Sequence, residues 1–368
     1  MKRAREEEEP LPKVEKSTRP NGGMWRRGPL LGQGGFGKVH LVSVIKPGKR
    51  LRGALPKVMA VKSSKASASK ELMREMLVLD QFLDCPFIIQ RFGDDETMNV
   101  GNFGFEYRKH MFLEYASGGT LGDVIKKYGG GVGLLESQVK KYTIHVLQGI
   151  KCIHERGYVH CDLKPSNILL VPDNSGEFVA KIADFGLAKS LEKVNLSRGS
   201  VSGTTMYLSP EAVIDKVQEQ PSDIWALGCI VFAMLTGKQP WYLTPDERAE
   251  DFIQRIAKES PVTPSGISKE AEDFLSKCFS RNPKERPAAE ALLRHPFVTG
   301  EVHMSKMPST LGSSFLCPHD CSFIQIKDSS SKDESLEPSS FACELALALK
   351  NAMDGTEILN CEGTLLLA

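Results

Sequence analysis

No apolar run in this 368-residue chain is long enough to cross a bilayer. The longest lies between Ile224 and Leu235 and reads as a buried core helix. No CxxC pair occurs among the nine cysteines. Cys317, His319 and Cys321 lie close together, but no second ligand pair completes a zinc pattern. Reduced thiols in a cytoplasmic or nuclear setting are therefore expected. No apolar segment follows Met1-Lys2-Arg3-Ala4-Arg5, so no signal peptide is expected. Excess charge is lacking too. Lys+Arg number 47 against 46 Asp+Glu, a net charge of +1. That balance supplies no overall field for nucleic acid or an anionic membrane. What is present, 41% apolar and 25% charged residues, is the make-up of a soluble globular protein.

The texture changes three times along the chain. Residues 1–23 are charged and poor in large apolar side chains, which predicts a disordered leader. Its basic start reads first as a solvated tail and second as a nuclear-import element. From Trp25 to Lys62 short apolar runs alternate with glycine and basic turns, a β pattern, with 46–57 as a long basic hairpin loop. Residues 69–83 show helical spacing, with Leu72, Met76 and Leu79 on one face. Strands are predicted at 88–92 and 111–115, joined by the polar stretch 94–109. After Gly118-Gly119 the segments 120–128, 136–156, 221–236, 246–259 and 268–279 are each helix-like. A strand-rich part over about 24–115 and a helix-rich part over about 116–298 predict an α+β fold of two unequal lobes. A ligand would lie in the cleft between them. Residues 299–368 are Ser-rich and predicted to be largely disordered, with a short helix near 341–352 where Phe341, Leu345 and Leu349 share a face.

Five elements carry the chemistry. Gly32-Gln33-Gly34-Gly35-Phe36-Gly37 lets backbone N–H groups approach phosphate oxygens without Cβ obstruction. A dinucleotide fold would need a helix directly after the last glycine, whereas Val39-His40-Leu41-Val42 continues as strand. Lys62 ends the apolar strand Met59-Ala60-Val61, an odd place for a lysine unless it is paired. Glu71 and Glu75 on the following helix are both candidate partners, and the pair would grip α- and β-phosphates. The strongest element is His160-Cys161-Asp162-Leu163-Lys164-Pro165-Ser166-Asn167. Asp162 can accept a hydroxyl proton, Lys164 can neutralise a transferring phosphoryl, and Asn167 offers an oxygen to Mg²⁺. A bland polar turn would explain neither the composition nor the order. Asp184-Phe185-Gly186 supplies a second hard oxygen ligand in Asp184.

These residues resemble the eukaryotic protein-kinase family over residues 25–298. The resemblance implies a bilobal kinase fold and transfer of the γ-phosphoryl group of ATP, with Mg²⁺, to a protein Ser or Thr. It favours Glu75 over Glu71 as the partner of Lys62. It places nucleotide against Leu31, Gly32, Gln33, Gly34, Gly35, Phe36, Gly37, Lys38, Val39, Ala60, Lys62, Glu114, Ala116 and Leu169, with Leu113 as gatekeeper. Asn167 and Asp184 would hold metal, and Asp162, Lys164, Lys62, Glu75 and Thr204 would be catalytic. Ser209-Pro210-Glu211 implies a pair between Glu211 and Arg286, and Asp223 implies an anchor for the catalytic loop. Within the family, Ser117-Gly118-Gly119-Thr120-Leu121 and Gly237-Lys238-Gln239-Pro240-Trp241 are similar to plant MAP kinase kinase kinases of the MEKK-like group. A MAP kinase kinase would then be the substrate. The alternative is a pseudokinase or scaffold that binds nucleotide and partners without transfer.

Three departures stand out. Cys161 replaces the usual Arg before the catalytic Asp, so a phosphate on the activation loop loses its charge-assisted partner. Loop phosphorylation is accordingly expected to matter less. Thr205 and Leu208 differ from many relatives beside the substrate-binding loop. Thr120 occupies a position often acidic for ribose, with Asp123 as a candidate replacement.

Overall fold

The structure, a computed structural model, describes residues 14–16, 23–34, 37–52, 55–65, 67, 69–101, 104–129, 131–194, 201–242 and 247–300. Gly35, Phe36, the Ser-rich tail and its expected helix at 341–352 lie outside the described residues.

The strand-rich part is one antiparallel sheet of six strands, in the order β1-β2-β3-β4-β6-β5. These are β1 (Val14–Lys16), β2 (Met24–Gly34), β3 (Gly37–Lys46), β4 (Val58–Lys65), β5 (Arg91–Gly101) and β6 (Gly104–Leu113). β4 is central, and its alternating side chains serve two cores. Met59 and Val61 pack with Trp25, Val42 and Phe112 on one face. Ala60 faces the larger core, which includes Leu72, Met76 and Leu79 of α1 (Ser69–Leu79). The loop between β3 and β4 is pinned to β5 where Arg52 N donates to Phe92 O at 2.7 Å.

Two expectations are corrected here. The leader through residue 23 is interrupted, because Val14–Lys16 pairs with β2 and buries Glu15 beside Arg27 at 3.2 Å. The polar stretch 94–109 is mostly strand, not a connecting loop, since β5 and β6 pair from Arg91↔Leu113 out to Gly101↔Gly104. Its inward face is polar, which hid the period of two. Arg91, Asp95 and Thr97 are buried in alternation. Fully buried His110 bridges Ser63 Oγ and Thr97 Oγ1, each at 2.8 Å, and so satisfies hydroxyls that an apolar pattern would have lacked.

The helix-rich part is built on α3 (Glu136–Glu155) and α6 (Gln220–Thr236), around which pack α2 (Leu121–Gly129), α5 (Pro210–Asp215), α7 (Ala249–Lys258), α8 (Lys269–Cys278), α9 (Ala289–Leu292) and α10 (Pro296–Thr299). A four-residue α4 (Leu191–Val194) follows β10 (Lys189–Ser190). Every residue of α6 from Ser222 to Leu235 is buried, as its unbroken apolar run requires. Gly237 stops it in the left-handed region, with φ of 67°. Among the described residues no helix is long and apolar enough to cross a membrane.

Two short strand pairs lie against α2 and α3. β7 (Tyr158–Val159) pairs with β10 (Lys189–Ser190), and β8 (Ile168–Pro172) pairs with β9 (Phe178–Ile182). Main-chain bonds join β9 to the segment after α1. Ile89 N donates to Ile182 O at 3.0 Å, and Ile182 N donates to Phe87 O at 2.9 Å.

Candidate active site

The glycine-rich segment is the hairpin between β2 and β3. Gly32, Gln33 and Gly34 lie opposite Val39, Lys38 and Gly37. Gly37 has φ of +141°, and a Cβ there would sit 2.4 Å from Ser63 O, so only glycine lets β3 lie this close to β4. Val39 packs against the larger core beside Ala60, while Leu31 is exposed.

Alternation along β4 sends Lys62 to the same side as Ala60, toward α1. There Glu75 is buried and Glu71 exposed, which settles the choice that helical spacing left open. Lys62 Nζ donates to Glu75 Oε1 and Oε2 at 2.9 and 2.8 Å, and to Asp184 Oδ1 at 3.1 Å. Burial works against charge on all three. At Lys62 the carboxylates of Glu75 and Asp184 outweigh burial and hold the ammonium above its usual range. At Asp184 burial is likewise outweighed, and Lys62 holds the carboxyl below its usual range. At Glu75 burial is the largest influence and pushes the carboxyl up while Lys62 pulls it back. The lysine decides the state of the group, because an ammonium with oxygens on two sides stays charged.

The second cluster gathers around Asp162. Its Oδ1 accepts from Thr204 N at 2.9 Å and Thr204 Oγ1 at 2.8 Å. Its Oδ2 accepts from Lys164 Nζ at 2.8 Å and Asn167 Nδ2 at 3.1 Å. Lys164 Nζ also donates to Thr204 Oγ1 at 2.8 Å, closing a ring. The expected anchor is present. Asp223 accepts from His160 N at 2.9 Å and Cys161 N at 3.1 Å. His160 Nε2 meets Ala183 O at 3.1 Å, and its ring lies edge-on to Phe185 at 4.9 Å. The loop is thus tied to the turn that carries Asp184. Farther off, Arg286 forks onto Glu211 with two bonds of 2.7 Å.

Asn167 Nδ2 is spent on Asp162 O and Oδ2, which leaves the carboxamide oxygen as its ligand-capable end. With Asp184 this makes two hard oxygen donors. Among the described residues no group of three or more His, Cys, Asp or Glu could hold a metal alone. Such a donor set fits Mg²⁺, which takes one or two protein oxygens and completes its octahedron with phosphate and water.

The segment expected to meet nucleotide holds a contact that sequence reasoning missed. Glu114 N donates to Gln90 O at 2.9 Å, while its carboxylate takes Lys181 Nζ on both oxygens at 2.8 Å. Lys181 lies on β9, and no spacing rule links it to residue 114. Leu169 bridges to Thr120, and Gly119 N donates to Ala116 O at 3.2 Å. Asp123 is engaged at the start of α2, accepting from Thr120 N and Oγ1 at 2.9 and 2.7 Å.

The Protein kinase domain family model matches residues 25–298. The chain is 41% identical over 280 residues to mitogen-activated protein kinase kinase kinase 20 of Arabidopsis thaliana, which covers 75% of this chain and 78% of that protein. Mitogen-activated protein kinase kinase kinase 17 of the same plant is 38% identical over 280 residues, 75% and 69% of the two chains. Mitogen-activated protein kinase kinase kinase 18 is 37% identical over 281 residues, 75% and 78%. The matched span takes in both clusters just described, and the chain belongs to the protein kinase family as a serine/threonine kinase.

Proposed function

We propose that this kinase is a MAP kinase kinase kinase that moves the γ-phosphoryl group of ATP to a Ser or Thr of a MAP kinase kinase in a signalling cascade. The observation that carries the transfer is the closed ring of Asp162, Lys164 and Thr204, with Asn167 bonded to its aspartate. The level in the cascade rests on the relatives' names. Lys62, held by Glu75, grips the α- and β-phosphates. Asn167 and Asp184 would hold Mg²⁺, which when bound would supply positive charge to the phosphates. Asp162 aims the acceptor hydroxyl and takes its proton as the new P–O bond forms. Lys164 offsets charge on the transferring group. Thr204 fixes the angle of the Asp162 carboxylate.

We place this activity in the cytoplasm, with access to the nucleus. Supporting this, Cys85, Cys152, Cys161, Cys229 and Cys278 are buried free thiols, the form suited to a reducing compartment. The test is transfer from Mg-ATP to a panel of MAP kinase kinases, with Lys62→Met as control. Transfer to one panel member, absent in the control, is the expected result. A folded, ATP-binding protein that phosphorylates no panel member and no generic substrate would point to a pseudokinase or scaffold instead.

A further inference from the structure

Three consecutive residues carry the chain past Asp162 on its way to α5. Thr204 sits on the catalytic carboxylate through both its N and its Oγ1. Gly203 is pressed against the catalytic loop, with φ of +112° and room for no Cβ, which would lie 2.3 Å from Cys161 O. Ser202 is held by both of its main-chain polar groups, and one side chain does it. Ser202 N donates to Gln218 Oε1 at 3.0 Å, and Gln218 Nε2 donates to Ser202 O at 2.7 Å. Gln218 is 5% exposed, and its Oε1 also accepts from Lys189 Nζ at 3.0 Å. Both lone pairs of that oxygen are therefore used. The amide acts as a short stretch of β-ladder, clamping the chain two residues before Thr204.

Directly beneath, Cys161 is buried and neutral. Burial, aided by the Asp223 charge, pushes its thiol up to about 12. Cys161 and Gln218 line one small cavity with Thr204, Ser222 and Asp223. The place where an arginine could have met an anion thus holds a neutral thiol, and the Ser202 segment is gripped by a neutral carboxamide.

We propose that Gln218 is the positioning residue for the catalytic aspartate: its carboxamide grips the Ser202 main chain, and that grip seats Thr204 on Asp162 without an anion on the activation segment. The inference rests on Asp162 working as set out above. It explains how a kinase with Cys161 orders its catalytic loop. The clamp is made from inside the fold, and a phosphate has no part in it.

The experiment compares the full chain with Gln218→Met, which keeps length and burial but loses the two Ser202 bonds and the Lys189 bond, and with Gln218→Glu, which keeps the acceptor for Ser202 N and Lys189. In Gln218→Met kcat should fall roughly tenfold to a hundredfold with the ATP KM unchanged, as expected for two lost buried bonds that act on the aspartate. Gln218→Glu should fall between the two. Hydrogen exchange at the Ser202 and Thr204 amides should quicken in Gln218→Met while the α6 amides stay protected. A kcat within about twofold of the parent overturns the proposal, as does a loss no larger than the unfolded fraction. Should the parent itself transfer nothing, the proposed function falls. The exchange comparison still decides this inference, because unchanged protection at Ser202 and Thr204 would overturn it.

Discussion

Two buried cation–carboxylate groups in this molecule use the same chemistry for different ends. Glu211–Arg286 is closed. Arg286 Nη1 and Nη2 fork onto the two Glu211 oxygens, Nη1 also reaches Pro221 O at 2.9 Å, and Nε reaches Ser280 O at 2.7 Å. The Arg286 side chain is 0% exposed and Glu211 8%. Lys62–Glu75 is open on one side, because its third member, Asp184, is 38% exposed. A guanidinium with its donors consumed can only hold the fold together. A lysine shared between a buried and a half-exposed carboxylate can exchange a partner for a phosphate. Exposure of one member, more than charge or the number of bonds, separates the pair sealed inside the fold from the pair that a phosphate could reach.

Substitutions at the two pairs should differ in kind. Arg286→Met should have the largest effect, destabilising the fold by about 3–5 kcal/mol, because Glu211 is left buried and unpaired. Denaturant unfolding measures it, and a cost under about 1 kcal/mol would mean the pair is not the closed unit described. Lys62→Met should reverse the pattern, because burial already pushes the Glu75 carboxyl up and it can shed its charge by taking a proton. Transfer should drop by roughly 10²–10³-fold while the unfolding midpoint moves far less than for Arg286→Met. If the two variants lost stability equally, the cleft pair would be structural after all. Arg286→Lys should recover part of the loss, at a cost of about 1–2 kcal/mol, since a point charge cannot reproduce the planar fork.

pH sharpens the contrast. Arg286 outweighs burial and holds Glu211 below its ordinary value of 4.5. Its stabilisation is present above that value and is lost as pH falls through the depressed pKa. Lys62 is raised above 10.5, so its stabilisation is full below that value and is lost as pH rises through the raised pKa. On the acid side Asp184 is lowered and Glu75 is raised, so their contributions oppose each other in the cleft. The acid-side fall in stability should therefore come more from Glu211, and Arg286→Met should flatten it. The smallest expected effect is Ser202→Ala. The Ser202 hydroxyl is buried without a hydrogen-bond partner, and its main chain makes the contacts. Its removal should change stability by less than about 1 kcal/mol in either direction, read by thermal unfolding.

Much of this site was legible because its residues come in short runs. Asp162, Lys164 and Asn167 lie within one turn, so their order alone announced a shared task. Glu75 could be chosen from family spacing, and burial of one helix face then gave the reason. The polar strands β5 and β6 were not legible as strands. Their inward side chains include Asp95, Thr97 and His110, and alternation of polar with polar leaves no trace of a period. Gln218 and Lys181 carried no signal either. A glutamine that grips a main chain 16 residues away reads as any other surface glutamine.

The chain alone supplied the list of candidate site groups and the order of the elements that carry them. Side-chain chemistry and local spacing are properties of the chain, and a phosphoryl-transfer site needs few residue types. Packing alone settled which groups are sealed from water and which keep an exposed member. Lys62 meets Asp184 across 122 positions, and Glu211 meets Arg286 across 75. Such pairings are set by where the packed helices and strands bring side chains together, and their energetics by how much water the packing leaves around them.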